Sequence, residues 1–309
     1  MTLAPAPKSP PPALRRPHPA VPAEPEEPRR REFRFERHHF DFIAGLVHRL
    51  AGIALPPHKV EMMYSRLARR LRELGMADFD EYCALLEADG DGRELGALIN
   101  ALTTNLTSFF RERHHFDHLA ATTLPEARAA GSGGKTRLRI WSAGCSSGEE
   151  PYTIALVIMT AVPDLTRWDA RILATDIDTR MLETARRGVY PAEAVEGVPV
   201  AVRDRFFRKT GRSDPGAPPL VTVGDELRRL ITFKSLNLME PWPMGGPFDA
   251  IFCRNVLIYF DRAGRSGVVD RFADLLRPRG YLYLGHSENL HGVSRRFALA
   301  GSTLYRRVS

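Results

Sequence analysis

Residues 138–150, Leu-Arg-Ile-Trp-Ser-Ala-Gly-Cys-Ser-Ser-Gly-Glu-Glu, join an apolar run to two glycines four apart and two adjacent carboxylates, just ahead of Pro151. A strand end, a backbone turn that a ligand can approach closely and acids that grip polar groups are what a nucleotide-like cofactor needs. The spacing is not the Gly-x-Gly-x-x-Gly of dinucleotide binders, and two acids at a helix start repel a pyrophosphate. The ligand that suits them is cationic and rich in hydroxyls, as S-adenosylmethionine (AdoMet) is. An ordinary strand-loop-helix junction would read the same way in isolation, so other residues have to decide.

Asp176, in Ala-Thr-Asp-Ile-Asp, falls 32 residues after Gly144 at the predicted end of a second strand. A carboxylate there faces the cofactor crevice of a doubly wound sheet and can accept both ribose hydroxyls. Asp178 is placed to cap the helix that enters at Thr179. In Leu-Thr-Thr-Asn-Leu-Thr-Ser-Phe-Phe-Arg-Glu, 102–112, the hydroxyls and amide compete for backbone hydrogen bonds and make a poor helix interior. The segment is either a capped linker or the lining of a cleft, in which Arg111 offers a fork to a carboxylate. Phe-Asp-Ala-Ile-Phe-Cys-Arg-Asn-Val-Leu-Ile-Tyr-Phe, 248–260, is a buried strand delivering Arg254 and Asn255 to the same sheet edge. Asn237 follows the preceding strand to that edge; an ordinary strand-exit turn is the alternative for both asparagines.

These groups must be positioned by regular elements. From Phe33 to Glu112 the period is helical: Val60, Met63, Leu67, Leu71 and Leu74 form one stripe, and Asp78 is a possible cap for a helix through Phe79–Leu86. This predicts an all-α domain over 32–112, with a linker at 113–134 ending in Gly-Ser-Gly-Gly. From 135 to 309 short apolar runs alternate with helical ones, which predicts an α/β, doubly wound, mostly parallel sheet. The rhythm breaks in the region of 195–232, read as an inserted antiparallel β-hairpin, and residues 297–306 read as a closing antiparallel strand pair. Residues 1–31 hold ten of the 24 prolines and almost no bulky apolar side chains, the composition of a disordered tail.

The 309 residues, 43% hydrophobic, suffice for real cores. No apolar run approaches the roughly 18 residues of a membrane span, and the N-terminus lacks the apolar core of a secretory signal. Cys83, Cys145 and Cys253 are odd in number and widely spaced, so they read as reduced thiols of a cytosolic protein, with no metal framework. Of the net charge of +7, residues 1–35 contribute +3, so the folded part is mildly basic and does not demand nucleic acid.

Together these motifs, with Gly-His-Ser-Glu-Asn at 285–289, resemble the CheR-type chemotaxis protein methyltransferases over about residues 36–307. The resemblance implies an AdoMet-dependent transfer to receptor glutamates on a methyltransferase fold. It places the family's cofactor contacts on Asn105, Thr107, Arg111, Glu150, Asp176, Asn237, Leu238, Arg254 and Asn255, beside the Gly144 turn. It chooses Glu150 over Glu149, and matches the family's active-site tyrosine to Tyr259. Arg111, Arg254 and Tyr259 are the candidates to orient the substrate carboxylate. That group is ionised at neutral pH and needs no base, so His286, Ser287 and Glu288 read as structural. The partner implied is the acidic helical bundle of a methyl-accepting chemoreceptor, met by Lys59, Arg66, Arg69 and Arg70. Some relatives grip a receptor's C-terminal pentapeptide with a tight glycine-bearing loop; the long Gly-Arg-Ser-Asp-Pro-Gly-Ala-Pro-Pro here argues against that tether. The rivals are a nucleic-acid methyltransferase, which usually needs an Asn/Asp-Pro-Pro-Tyr-type segment or a catalytic Cys beside Pro, and a non-catalytic AdoMet-binding regulator.

Overall fold

The computed structural model describes residues 31–131, 134–212, 216 and 218–309; the segment read as a disordered tail lies outside them up to residue 30. Four helices come first: α1 (Arg37–Ala51), α2 (Val60–Leu74), α3 (Phe79–Ala88) and α4 (Arg93–Leu102). The α2 stripe buries Met63, Leu67 and Leu71 completely against Phe40, Ile43, Phe79 and Leu98. Each such side chain contributes about 1.5–3 kcal/mol by leaving water. Leu74 is half-exposed, because the helix stops there and Gly75, at φ 69°, turns the chain away. Asp78 caps α3, accepting the Glu81 N–H at 2.9 Å.

The stretch expected to be a linker is instead a helical rod: α5 (His114–His118), a π-turn (Leu119–Thr123) and α6 (Leu124–Ala129). It buries Phe116, Leu119, Leu124 and Ala127 in the same core as Leu138 and Ile140. The π-turn inserts a residue into the helical period and so hides the apolar stripe from a 3.6-residue template.

The main sheet contains β1 (Thr136–Ala143), β2 (Trp168–Asp176), β6 (Ile231–Ser235), β7 (Phe248–Cys253), β8 (Leu276–Leu284), β9 (Phe297–Gly301) and β10 (Leu304–Arg307), in the order β6-β2-β1-β7-β8-β10-β9. The first five are parallel, and β10 pairs antiparallel with both β8 and β9. The chain runs outward from β1 through β2 to β6, then returns to β7 on the other side of β1. That reversal opens a crevice above the carboxyl ends of β1 and β7. The remaining helices are α7 (Glu149–Ala161), α8 (Thr179–Arg187), α9 (Val200–Phe206), α10 (Asp225–Arg228) and α11 (Arg262–Leu275). Helix α7 is buried around nearly its whole circumference, as a helix apolar on all faces must be.

The insert is a three-stranded antiparallel sheet, not a hairpin: β3 (Val189–Pro191), β5 (Pro219–Val223) and β4 (Phe207–Arg212), in that spatial order. It therefore begins at Val189, ahead of the expected 195, because three residues ending in proline are too short to show a period of two. In the proline-rich loop, residues 213–215 and 217 lie outside the described residues.

The helical domain closes over the crevice by direct contact. Ile53 bridges antiparallel to Phe260, the Ala54 N–H donates to the Tyr259 carbonyl at 2.8 Å, and Asn237 Nδ2 donates to the Leu50 carbonyl at 2.6 Å.

Candidate active site

At the switch point lies a cavity of about 380 Å³, floored by the ends of β1, β2 and β7 and roofed by Ala51–Pro56 and Met62 of the helical domain. Its lining contains Asn105, Thr107, Arg111, Gly144, Glu150, Asp176, Asn237, Leu238, Arg254, Asn255 and Tyr259. The structure thus gathers every residue singled out for chemistry in the sequence. Glu149 does not line it and bonds the Ser147 hydroxyl at 2.7 Å.

The floor is built on backbone geometry. Gly144 has φ 86°, and a Cβ there would stand 2.3 Å from Val256 Cγ2. Its N–H and that of Cys145 both donate to the Thr175 carbonyl, tying the ends of β1 and β2 together. The turn presents the Ser146 N–H to Asp176 Oδ2 at 2.7 Å, while the Asp178 N–H donates to Asp176 Oδ1 at 2.8 Å. Burial pushes the Asp176 carboxyl up to about 6, against the pull of these two amides. Each oxygen of this cavity-lining carboxylate has acceptor capacity beyond that bond, which suits the two hydroxyls of a vicinal diol.

Glu150 sits on the first turn of α7, 7% exposed and lining the cavity. Its Oε1 accepts from the Ser142 hydroxyl at 2.7 Å and its Oε2 from Arg254 Nη1 at 3.0 Å. Burial raises its pKa, opposed by Arg254 and Ser142. Arg254 also donates to the Arg111 carbonyl, lies 3.6 Å from Glu112 Oε2, and stacks 5.4 Å from the Phe116 ring centre. This guanidinium is 7% exposed and engaged by these partners; Arg111 and Tyr259, the other two orienting candidates, line the same cavity.

The 103–112 segment is a cleft lining and a strap at once. Buried Asp178 accepts from Thr103 Oγ1 and Asn105 Nδ2, both at 2.8 Å, besides capping α8 through the Arg180 N–H at 3.0 Å. The Asn105 carbonyl accepts from the Ser146 hydroxyl at 3.1 Å. Phe110 and Glu112 have φ 54° and 56°, a kink that turns Arg111 toward the cavity, with Nη1 donating to the Leu106 carbonyl at 2.6 Å. On the opposite wall Asn255, at φ 59°, is locked by Glu288, whose carboxylate accepts the N–H groups of Gly285, Asn255, Val256 and Ile258. Gly285 is required beneath it, since a Cβ would lie 2.3 Å from Asn255 Nδ2. His286 and Ser287 line the cavity beside it. The Tyr259 hydroxyl has no partner among the described residues.

Sequence reasoning missed Ser142, Ser146, Glu112 and the roof residues. Glu112 was visible next to Arg111, but its partners are 142 and 174 positions away. The basic face of α2 also differs from its expected character. Arg66 Nη1 donates to the carbonyls of Leu102 and Thr103, and Arg70 is paired with Glu94 at 2.5 Å and Glu73 at 3.3 Å. These two arginines fasten α2 to α4. Arg69, whose partner among the described residues is the surface Glu73 at 3.1 Å, is a solvent-facing cation.

A diol acceptor at Asp176 and a buried acid at Glu150, held apart by a glycine turn that admits close approach, suit a ligand carrying both ribose and ammonium. Residues 105–306 match the family model described as CheR methyltransferase, SAM binding domain, and residues 38–103 match CheR methyltransferase, all-alpha domain. A chemotaxis protein methyltransferase of Salmonella typhimurium is 45% identical over 270 residues, covering 86% of this chain and 89% of that protein. That of Escherichia coli is 45% identical over 270 residues, with 86% and 90% covered. A probable chemotaxis protein methyltransferase of Rhizobium etli is 45% identical over 261 residues, with 83% and 94% covered. With both family domains in order and this identity across most of its length, the chain belongs to the CheR family of AdoMet-dependent chemotaxis protein methyltransferases.

Proposed function

We propose that the cavity transfers a methyl group from AdoMet to glutamate side chains of methyl-accepting chemoreceptors. The observation that carries this reading is the asymmetry of the cavity: a floor of hydrogen-bonded acids, Asp176 and Glu150, faces a mouth where the Tyr259 hydroxyl has no partner among the described residues and Arg111 is held through Nη1 on the Leu106 carbonyl. AdoMet, when bound, supplies a methyl group on a sulfonium leaving group. Asp176 accepts the ribose hydroxyls, Glu150 the ammonium, and Asn105, Thr107, Asn237, Leu238 and Asn255 complete the walls around the cofactor.

A glutamate carboxylate is already ionised at neutral pH, so no protein base takes part. With AdoMet held in the cavity, its methyl carbon would pass to the glutamate oxygen, the new O–C bond forming as the S–C bond breaks and the neutral thioether S-adenosylhomocysteine leaves. The protein's task is alignment and removal of water. Tyr259 donates a hydrogen bond that orients the carboxylate without neutralising it. A permanent Arg–carboxylate pair would stabilise the ground state as much as the transition state and bring no rate gain. Arg111 secures the strap through Leu106 and meets the carboxylate or that of the cofactor.

The receptor's acidic helical bundle would dock along α2. Because Arg66 and Arg70 hold α4, replacing them tests stability more than docking. Arg69→Glu is the cleaner probe: it should weaken receptor methylation and leave cofactor affinity unchanged. Three cysteines that form no disulfide suit a reducing cytosol, and among the described residues no helix is long and apolar enough to cross a membrane.

The direct test is incubation with methyl-labelled AdoMet and receptor-bearing membranes. Base-labile label on receptor glutamates is the expected result. Label on nucleic acid, or none with several receptors, would overturn the reading.

A further inference from the structure

One carboxylate in this protein has no place in the reaction as described and yet touches both sides of the site. Glu112 is 11% exposed at its side chain. Its Oε1 accepts the His286 N–H and faces His286 Nδ1, both at 3.1 Å. Its Oε2 lies 3.6 Å from Arg254 Nη2 and 3.6 Å from His115 Nδ1, with no hydrogen bond of its own. Burial pushes the Glu112 carboxyl up, but the Arg254 charge and the His286 bonds together outweigh it and hold the group below its usual range. His115 is fully buried and pushed down to about 3 by burial and by Arg254, so it brings no charge of its own.

The consequence is electrostatic. Arg254 stands between two carboxylates, Glu150 at 3.0 Å and Glu112 at 3.6 Å. The Arg254–Glu150 pair by itself is neutral, so an ammonium arriving at Glu150 would meet a carboxylate whose charge is already matched by Arg254. With Glu112 the triad carries one net negative charge, which a ligand ammonium brings to zero.

We propose that Glu112 is a positioning residue that makes the site complementary to the ammonium of an amino-acid ligand without touching it, by sharing the charge of Arg254 and so leaving Glu150 free to receive that ammonium. This rests on the assignment of Glu150 to the ammonium. A divalent cation held by Glu112, His114 and His115, whose ligand atoms lie within 4.8 Å of one another, is the competing use of this cluster. The Arg254 guanidinium at the same carboxylate opposes it.

The test compares two ligands in calorimetry or competition at about pH 8, above the ordinary imidazole range. S-adenosylhomocysteine (AdoHcy), the cofactor after methyl loss, carries the ammonium; 5′-methylthioadenosine keeps the nucleoside and lacks the amino-acid end. Glu112→Gln keeps the acceptor for the His286 N–H and removes the charge. It should weaken AdoHcy by about tenfold and leave methylthioadenosine within about twofold, while Glu112→Asp restores part of the AdoHcy affinity. Equal weakening of both ligands, or none of AdoHcy, overturns the proposal. Glu150→Gln separates the two readings. If it spares AdoHcy, the ammonium assignment has failed; if it alone discriminates between the ligands, Glu112 has no such role. Tightening of the wild type by zinc but not of Glu112→Gln would show a metal site and likewise overturn the proposal.

Discussion

The floor and the mouth of one cavity are built on opposite principles. Asp176 and Glu150 line the floor, Asp178 anchors the strap and Glu288 the opposite wall; all four are less than a tenth exposed, and each is held by at least two hydrogen bonds. At the mouth, Leu106 is 81% and Ile258 43% exposed, and the Tyr259 hydroxyl is unpartnered among the described residues. A small cofactor is met by a pre-formed lattice of acceptors, whose bonds need no rearrangement at binding. On the proposed reading, a macromolecular substrate would be met by apolar and donor groups that become satisfied only when it arrives.

That contrast can be broken from the floor first. Asp176→Asn takes the charge from the diol acceptor while keeping an acceptor for one amide, and AdoHcy affinity should fall on the order of a hundredfold, as loss of two hydrogen bonds to a charged group implies. Titration calorimetry reads it; a loss under threefold would remove Asp176 from the floor's function.

A smaller effect comes from pH. Because burial raises Asp176 to about 6, the unliganded acid becomes protonated below about that pH, whereas ribose hydroxyls donate to the ionised form. AdoHcy affinity should therefore be constant above about 6 and fall below it by up to about tenfold per pH unit. Glu150, also raised by burial, adds in the same direction. Affinity that stays flat down to pH 5 would show that neither acid must ionise to bind.

The mouth should respond in rate and not in cofactor affinity. Tyr259→Phe is expected to lower kcat for receptor methylation by about tenfold, the worth of one orienting hydrogen bond, with AdoHcy binding unchanged. If AdoHcy weakens in parallel, Tyr259 belongs to the floor and the contrast dissolves.

Much of the floor was legible in the chain because an open α/β sheet places ligands at strand ends, and strand ends show as apolar runs breaking into Gly144, Asp176 and Arg254. The closing pair β9–β10 and the caps at Asp78 and Asp178 were legible for the same local reason. What could not be read depends on reach. Glu112 and Glu288 act on residues far along the chain, Arg66 and Arg70 look like any solvated helix face until α4 is laid beside them, and the π-turn at Leu119–Thr123 erases the phase of its helix. Val189–Pro191 is a strand only because β5 lies next to it.

The grip of Glu288 on four backbone amides also ties the site to a late part of the chain. The turn carrying Asn255 through Ile258 takes its shape from a side chain 30 to 33 residues further on. Strand β8 completes its pairing only with β10, at the end of the chain. A stretch of this chain ending before residue 288 would lack the carboxylate that shapes this wall, and its cofactor site would be incomplete.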